Sequence, residues 1–257
     1  MSIQELFDLS GKTAIVTGGG NGIGKACCEI LSAAGAAIAV SDLNLAAAEE
    51  TAELLIRSGG QAIALPCNVL EDDDLVQAVA TAKSALGGVH ILINNAGGGG
   101  GGRENPFNIS VDEFERVFRL NLFSAWRLCQ LCAPHMRSAG YGSIVNITSM
   151  SSINQSPNMS AYASSKAAMN HMTRNLAHDF GPQIRINAVG PGATRTHALE
   201  TVLTPEIESR MLSHTPIKRL GLPSDIAGAV LYFAAPVSSW VSGQVIFVNG
   251  GGIQTLD

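Results

Sequence analysis

Charged side chains are scarce in this chain. Asp, Glu, Lys and Arg make up 14% of its 257 residues, while hydrophobic residues make up 46%; about 25% charged residues is usual for a soluble domain. So low a content of charged residues indicates that part of the surface is buried in an oligomer, although a large core accounts for some of the shortage of charge. The net charge of −5 argues against nucleic acid or an anionic membrane as the main partner.

The chain also lacks a long apolar run. No stretch reaches the roughly 18 uninterrupted apolar residues that cross a membrane, so no membrane span is expected. The first eight residues contain no basic region followed by an apolar one, so no signal peptide is expected either. Together these features predict a cytoplasmic protein.

Cysteine and histidine are too scattered to indicate a disulfide framework or a metal centre. The five cysteines are odd in number, which favours free thiols in a reducing cytosol. Cys129 and Cys132 have the spacing of a redox motif, but they lie in a strongly apolar helical stretch, which favours core packing. The six histidines form no His-x-x-x-His pair and no cluster with cysteine, so no metal is expected.

Short apolar runs alternate regularly with amphipathic segments along the chain. The predicted strands are 13–17, 36–41, 62–66, 90–94, 143–148, 184–189 and 245–248. The predicted helices are one beginning near Ile23, then 45–57, 75–86, 111–136, 161–180 and 226–234. This alternation predicts an α/β fold with one doubly wound parallel sheet of the Rossmann type and helices on both faces. No linker, repeat or charge block divides the chain, so a single domain over 1–257 is expected.

Two irregular segments follow predicted strands. Residues 97–102 are six consecutive glycines, and 190–223 is a long excursion before the last predicted helix. Open α/β sheets bind ligands beyond the carboxyl ends of their strands, and long excursions are often lids. The segment at about 190–223 is therefore predicted to be a substrate lid.

A glycine-rich turn joins the first predicted strand to the first predicted helix. Its glycines are spaced Gly18-x-x-x-Gly22-x-Gly24. Glycines permit a tight turn and a close approach to a pyrophosphate, while the N–H groups and dipole of a helix N-terminus favour an anion. In this strand–turn–helix context the pattern predicts a dinucleotide site.

The end of the second predicted strand indicates which dinucleotide is bound. Asp42 follows Gly24 by eighteen residues, and a carboxylate there accepts hydrogen bonds from ribose hydroxyls and repels a 2′-phosphate. Leu43 is uncharged, and no Lys or Arg precedes Lys25 in the turn. The sequence therefore predicts NAD(H) rather than NADP(H). The alternative is that Asp42 only caps the next helix.

Three side chains have the spacing of an acid–base centre. Tyr162 and Lys166 are four residues apart, so they share one face of a predicted helix, and Ser149 precedes Tyr162 by thirteen residues. A free tyrosine has a pKa near ~10, too high for efficient proton transfer at neutral pH. A nearby ammonium is expected to lower that pKa, and the Ser149 hydroxyl is a candidate to hold the substrate oxygen.

Taken together, these ordered motifs resemble the short-chain dehydrogenase/reductase family in its single-domain form of about 250 residues. The likeness covers nearly the whole chain, including the glycine turn, the segment 94–97 and the turn at Pro191 and Gly192. The positions that match the catalytic tetrad of the family are Asn121, Ser149, Tyr162 and Lys166.

The resemblance implies a role for each of the four. Tyr162 exchanges a proton with the substrate oxygen, and Ser149 hydrogen-bonds the same oxygen. Lys166 holds the nicotinamide ribose and lowers the pKa of the tyrosine, while Asn121 supports a water that links Lys166 to solvent. The hydride transfer belongs to the cofactor.

The resemblance also implies the NAD(H) contacts. Asn68 stands where the family usually has an aspartate, Thr194 replaces a usual Ile or Val, and Asn249 replaces a common Asp, but none of these changes removes a catalytic group. The implied cofactor-binding residues are Gly18, Asn21, Gly22, Ile23, Gly24, Asp42, Leu43, Asn68, Val69, Asn95, Ala96, Gly97, Tyr162, Lys166, Pro191, Gly192, Thr194 and Thr196.

Within the family, the chain is similar to bacterial enzymes that act on the 7α-hydroxyl of steroids such as bile acids. The similarity lies in the glycine run and in 147–150, 158–159, 162–168, 203–208, 214–217 and 239–244. Apolar residues at helical spacing in the lid suit a flat hydrophobic substrate, or else only pack on the protein body. Arg103 or Arg195 is a candidate partner for a substrate carboxylate. The implied substrate contacts are Ser149, Tyr162, Gly99, Asn154, Leu199 and Leu203.

Several alternatives stay open. The first is a dehydrogenase of sugars, polyols or other secondary alcohols. The second is a 3-oxoacyl-thioester reductase, against which Asp42 counts because those members of the family mostly prefer NADPH. The third is a regulator that binds the cofactor without catalysis. The family resemblance also implies a homotetramer.

Overall fold

One parallel sheet forms the centre of the protein. The computed structural model describes residues 2–99, 104–201 and 203–252, and of 197 and 198 the backbone alone. Within these ranges seven strands lie in the order β3-β2-β1-β4-β5-β6-β7, and every neighbouring pair is parallel. The strands are β1 Thr13–Thr17, β2 Ala37–Asp42, β3 Ala62–Pro66, β4 Ile91–Asn94, β5 Gly142–Ile147, β6 Ile184–Pro191 and β7 Val245–Val248.

Helices cover both faces of this sheet. They are α1 Ile3–Phe7, α2 Gly22–Ala33, α3 Leu45–Arg57, α4 Asp72–Leu86, α5 Val111–Phe118, α6 Ser124–Ser138, α7 Ser160–Phe180, α8 His197–Glu200, α9 Pro205–Ser213 and α10 Pro223–Ala234. Buried apolar residues of α2, α3 and α10 belong to one core, and those of α4 and most of α6, together with Leu176 of α7, belong to a second. The predicted fold class is confirmed.

Strand β1 shows why the strands read as continuous apolar runs. Ala14 and Val16 pack into the first core, whereas Ile15 between them packs into the second. Because successive side chains of a strand point to opposite faces, a strand covered on both faces needs apolar residues throughout. None of the helices in the described ranges is both long and apolar enough to span a bilayer.

Two segments differ from the expected elements. The predicted helix 111–136 is divided by a π-helical turn, Arg119–Phe123, between α5 and α6. A π turn adds one residue to the helix locally, and here it contains the buried Asn121. The predicted excursion 190–223 is partly regular, since β6 continues to Pro191 and the segment contains α8 and α9.

A buried polar chain ties α7 to the middle of the sheet. Nδ2 of Asn94 donates to Oδ1 of Asn146 at 2.8 Å, and Nδ2 of Asn146 donates to Oγ1 of Thr173 at 2.9 Å. The Thr173 hydroxyl donates in turn to the Met169 carbonyl at 2.9 Å. All three polar side chains are buried, so each bond replaces one that water supplies in the unfolded chain.

Replacing Asn146 tests how much this chain of hydrogen bonds contributes. Asn146→Leu leaves polar groups of Asn94 and Thr173 buried without their partner, so we expect the free energy of unfolding to fall by about 2 kcal/mol. Thr173→Val removes the two hydrogen bonds of Thr173 but keeps its shape and the bond between Asn94 and Asn146, so it should cost less. Urea unfolding of the two variants and the wild type gives the comparison; an Asn146→Leu protein as stable as the wild type would contradict the assignment.

Candidate active site

Asn95 fastens the glycine turn to the end of β4. Its Nδ2 donates to the carbonyl oxygens of Thr17 at 2.9 Å and Gly18 at 3.1 Å. The hydroxyl oxygen of Thr17 accepts from the N–H of Asn95 at 3.1 Å and from that of Ala96 at 3.0 Å. Predicted cofactor residues from β1 and β4 are thus brought together at the carboxyl edge of the sheet.

The glycines of the turn are required by conformation and by space. Gly18 and Gly22 have φ of 63° and 55°, in the left-handed region that favours glycine. A Cβ on Gly24 would overlap the carbonyl group of Gly18. Asn21 is the N-cap of α2 but makes no side-chain cap hydrogen bond, so the helix N-terminus keeps N–H groups that fit the phosphates of a dinucleotide. The next residue, Ile23, packs against the first core.

Asp42 joins the end of β2 to the same turn. Its Oδ2 accepts from the N–H of Gly20 at 2.9 Å, and its Oδ1 accepts from the N–H of Asn44 at 2.9 Å. The cap of α3 is Asn44, whose Oδ1 accepts from the N–H of Ala47 at 3.3 Å. The alternative in which Asp42 caps that helix is therefore wrong. Leu43 beside it is 75% exposed.

The remaining predicted cofactor residues follow β3 and β6. Oδ1 of Asn68 accepts from the N–H of Leu70 at 3.1 Å, and Val69 packs on the second core. The N–H of Gly192, directly after Pro191, donates to the Val248 carbonyl at 2.9 Å, and Thr194 forms a bridge with Gly221. Thr196 lies beside the glycine turn, because a Cβ on Gly22 would be 3.5 Å from its methyl carbon.

Ser149, Tyr162 and Lys166 come together at the carboxyl edge of the sheet. Ser149 precedes the short 3₁₀ turn Met150–Ser152, and its Oγ accepts from the N–H of Ser151 at 3.1 Å. Tyr162 and Lys166 lie on α7, with Nζ of Lys166 5.9 Å from the centroid of the tyrosine ring. The lysine Nζ donates to the carbonyl of Ile147, the last residue of β5, at 2.8 Å. This hydrogen bond directs the ammonium group toward the end of that strand.

Asn121 connects the glycine run to α7. Its Oδ1 accepts from the N–H of Gly98 at 2.8 Å, and its Nδ2 donates to the Gly98 carbonyl at 2.8 Å and to Oγ of Ser165 at 3.0 Å. The Ser165 hydroxyl donates to the Tyr162 carbonyl at 2.7 Å. Ser165 was not among the predicted site residues, since a serine in a helix carries no signal of its own.

Two of the first three glycines of the run, Gly97 and Gly99, leave no room for side chains. A Cβ on Gly97 would lie 2.7 Å from Oδ1 of Asn121 and 3.2 Å from Nζ of Lys166, and one on Gly99 would lie 2.7 Å from Cβ of Tyr162. A Cβ on Gly98 would meet no atom within 4 Å. The rest of the run and Arg103 lie outside the described residues.

Burial dominates the ionisation of the two α7 side chains. It raises the pKa of Tyr162, and a hydrogen bond with Ser149 opposes this effect. Burial lowers the pKa of Lys166 to about 8. The expectation that the lysine brings the pKa of Tyr162 below its ordinary value is therefore wrong for the protein's own groups, because desolvation of the phenolate is the largest effect.

The predicted substrate residues surround these groups to different extents. The N–H of Asn154 donates to the Met150 carbonyl at 3.0 Å, and its Nδ2 is buried without a partner in the described structure. Leu199 and Leu203 are half-buried. Among the predicted apolar lid residues, the side chain of residue 198 and all of residue 202 lie outside the described part. Arg195 pairs with Glu208 at 2.7 Å, so its guanidinium is already engaged by a carboxylate.

The surroundings of the thiols match the prediction that Cys129 and Cys132 pack in the core. All five cysteines are free and buried, and burial raises the pKa of Cys129 to about 12 and raises that of Cys132 as well. A thiol with a raised pKa is a poor nucleophile. Among the described residues, no group of three or more His, Cys, Asp or Glu side chains is placed to hold a metal ion.

The chain is similar to characterised enzymes along nearly its whole length. A family model described as enoyl-(acyl carrier protein) reductase matches residues 18–252. The 7α-hydroxysteroid dehydrogenase of Escherichia coli K12 is 49% identical over 250 residues, which is 97% of each protein. The 4-formylbenzenesulfonate dehydrogenase TsaC1/TsaC2 of Comamonas testosteroni is 38% identical over 251 residues, which is 95% of this chain and 99% of that protein.

A solved structure has the same fold throughout. It is a 7α-hydroxysteroid dehydrogenase complexed with NADH and 7-oxo glycochenodeoxycholic acid. It is 47% identical to this chain, with a TM-score of 0.95 and 100% of both chains covered.

The low pKa of Lys166 predicts how the free energy of unfolding depends on pH. Burial lowers this pKa from 10.5 to about 8, so between these two values the unfolded chain binds a proton that the folded chain does not. The contribution of Lys166 to the free energy of unfolding therefore rises with pH across this window. Urea unfolding of the wild type and Lys166→Met at pH 7, 8 and 9 should give a difference that grows in favour of the wild type. A difference independent of pH would contradict the assigned pKa.

Proposed function

The chain belongs to the short-chain dehydrogenase/reductase family, and we propose that it interconverts the 7α-hydroxyl of a bile-acid steroid and the corresponding ketone with NAD(H). The observation that carries the proposal is the meeting of Ser149, Tyr162 and Lys166 beside Gly97 and Gly99. The similarity to a 7α-hydroxysteroid dehydrogenase over almost the entire chain supports the substrate.

Tyr162 is the proposed acid–base group. As a phenol it donates a proton to the carbonyl oxygen of the ketone, and as a phenolate it accepts the proton of the alcohol. The Ser149 hydroxyl hydrogen-bonds the same oxygen and stabilises the charge that develops there. Because burial raises the pKa of Tyr162, the phenol predominates at neutral pH, so oxidation of the alcohol should accelerate as the pH rises.

Lys166 and Asn121 are proposed to support this proton transfer. The Lys166 ammonium is buried against the Ile147 carbonyl and Gly97, where it is placed to hold the hydroxyls of the nicotinamide ribose. Asn121 fixes the backbone of Gly98. Its proposed role in proton transfer is to hold a water molecule that links Lys166 to solvent. Bound NAD supplies the hydride acceptor, and NADH the donor.

The preference for NAD(H) rests on Asp42. Two backbone N–H groups hold its carboxylate between β2 and the glycine turn, so its position does not depend on the ligand. A negative charge fixed there accepts hydrogen bonds from the adenosine ribose and repels a 2′-phosphate. The other proposed cofactor residues at or after the ends of β1, β3, β4 and β6 complete the site.

The proposed substrate site lies between Gly99, Asn154 and the lid at about 190–223. Met211 of α9 and Met150 line the same small cavity, so the lid reaches the turn that follows Ser149. The half-buried leucines of the lid, Leu199 and Leu203, suit a flat apolar substrate. The alternatives within the enzyme class are a sugar, polyol or other secondary alcohol, or a 3-oxoacyl thioester.

We further propose a cytoplasmic homotetramer. Trp240 is 98% exposed, and Phe123 and Trp126 are 49% and 45% exposed. Large aromatic side chains left in water mark candidate interfaces. Light scattering coupled to gel filtration measures the assembly directly.

A bile-acid panel tests the proposed function. Cholic and chenodeoxycholic acids carry a 7α-hydroxyl, and deoxycholic acid, the matched control, lacks it. We expect turnover with NAD for the first two only, faster at pH 9 than at pH 7, followed by the absorbance of NADH. If none of the three reacts, the steroid assignment is wrong, and sugars, polyols and 3-hydroxyacyl thioesters become the next panel.

Tyr162→Phe separates an enzyme from a cofactor-binding regulator. The variant keeps the ring that packs on Gly99 but lacks the group that transfers the proton. We expect kcat to fall by about 100-fold or more while NADH binding, measured by fluorescence titration, stays unchanged. Turnover at the wild-type rate would refute the role given to Tyr162.

Asp42→Asn tests the cofactor preference. It keeps the size of the side chain and one acceptor oxygen but removes the charge that repels a 2′-phosphate. The ratio of kcat/KM for NAD to that for NADP should fall by at least about tenfold, and Asp42→Ala should give the same direction with lower stability. An unchanged ratio in both variants would sink the role of this carboxylate.

A further inference from the structure

Helix α7 begins without a cap of its own. Its N-cap residue is Met159, which has φ of −139° and makes no side-chain hydrogen bond to the helix. The first N–H groups of a helix have no partner within it and are usually satisfied by a Ser, Thr, Asp or Asn at the N-cap. Since this helix contains Tyr162 in its first turn, the manner of its capping bears on the site.

Glu104 supplies the missing cap from a distant part of the chain. Its Oε2 accepts from the N–H of Ala161 at 2.9 Å, and its Oε1 accepts from the N–H of Tyr162 at 3.3 Å. The donors lie 57 and 58 residues further along the chain. A carboxylate at a helix N-terminus also interacts favourably with the helix dipole.

A third bond fixes the backbone of the same residue. The N–H of Glu104 donates to the carbonyl of Asn158 at 3.1 Å. Asn158 has φ of 56°, in the left-handed region that is uncommon for residues other than glycine. Glu104 is thus bonded to three residues within 158–162, the five residues around the start of α7.

A second contact with Tyr162 comes from Gly99. Gly99 packs against the Cβ and ring of Tyr162 without space for a side chain, and Asn121 holds both polar groups of the Gly98 backbone. Tyr162 is therefore contacted from two sides, by Glu104 at its N–H and by Gly99 at its ring. These two contacts restrict the direction of the phenol.

We propose that Glu104 is a positioning residue for Tyr162, because it fixes the first turn of α7. The proposal rests on the acid–base role given to Tyr162 above. It differs from ordinary helix capping because one of the N–H groups that Glu104 binds belongs to Tyr162 itself. Loss of the carboxylate should release the first turn of α7, and misplacing a proton donor by about 1 Å costs up to 100-fold in rate.

Removal of two different caps distinguishes positioning from stabilisation. Glu104→Ala removes the cap of α7. Ser110→Ala, the matched control, removes the cap of α5, where the Ser110 hydroxyl oxygen accepts from the N–H of Glu113 at 3.1 Å. Both variants should lower the melting temperature, whereas only Glu104→Ala should lower kcat, by about tenfold or more. The KM for NAD should stay within about twofold of the wild type in both, because the proposed cofactor contacts exclude Glu104 and Ser110.

Glu104→Gln serves as the conservative rescue. Its amide oxygen replaces one of the two acceptor oxygens of the carboxylate, whereas its amide nitrogen is only a donor and leaves one N–H without its acceptor, so kcat should lie between that of the wild type and that of Glu104→Ala. These assays use whichever alcohol the wild type oxidises. If Glu104→Ala retains the kcat of the wild type, or if Ser110→Ala loses as much kcat as Glu104→Ala, the proposal is overturned.

A second measurement does not require turnover, and so separates failure of this proposal from failure of the proposed function. Amide hydrogen exchange of the segment 158–163, followed by mass spectrometry, reports how firmly the first turn of α7 is held. Exchange there should be faster in Glu104→Ala than in the wild type and unchanged in Ser110→Ala. Unchanged exchange in Glu104→Ala would show that Glu104 does not hold the first turn of α7.

Discussion

The close approach of Gly97 and Gly99 to α7 is the constraint on which the site depends. Gly97 and Gly99 approach Asn121, Lys166 and Tyr162 so closely that a methyl group does not fit without a shift. This contact covers part of the half-buried Tyr162 and of the buried Lys166, and removal from water moves the pKa of Tyr162 up and that of Lys166 down. Packing therefore sets the protonation of the two groups that the proposed chemistry uses.

The parallel sheet makes this contact possible, because its strands all end at one edge. Side chains at or next to three strand ends, Thr17, Asp42 and Asn95, hold the glycine turn by hydrogen bonds to backbone groups. The end of β5 accepts the hydrogen bond of Lys166. The proposed cofactor turn and the proposed catalytic helix are consequently fixed to a common support, which restricts how far one can move relative to the other.

Regular features of this fold are predictable from the sequence, and features that depend on distant contacts are not. The strands were predicted almost residue for residue, since a strand buried on both faces is a continuous apolar run bounded by turns. The π turn around Asn121 was missed because one extra residue hardly alters the apolar spacing of the helix. Glu104 carries no local signal, as its partners lie 57 and 58 residues away. The pKa of Tyr162 depends on burial, which the four-residue spacing to Lys166 does not report.

Comparison of Gly99→Ala with Gly98→Ala tests this account most directly. The two residues are adjacent, but a Cβ on Gly99 would lie 2.7 Å from Tyr162, whereas one on Gly98 would meet nothing within 4 Å. With an alcohol that the wild type oxidises, Gly98→Ala should retain the wild-type kcat, and Gly99→Ala should lose about tenfold or more while still binding NADH. Equal kcat values for the two variants would contradict the claim that this packing positions the tyrosine.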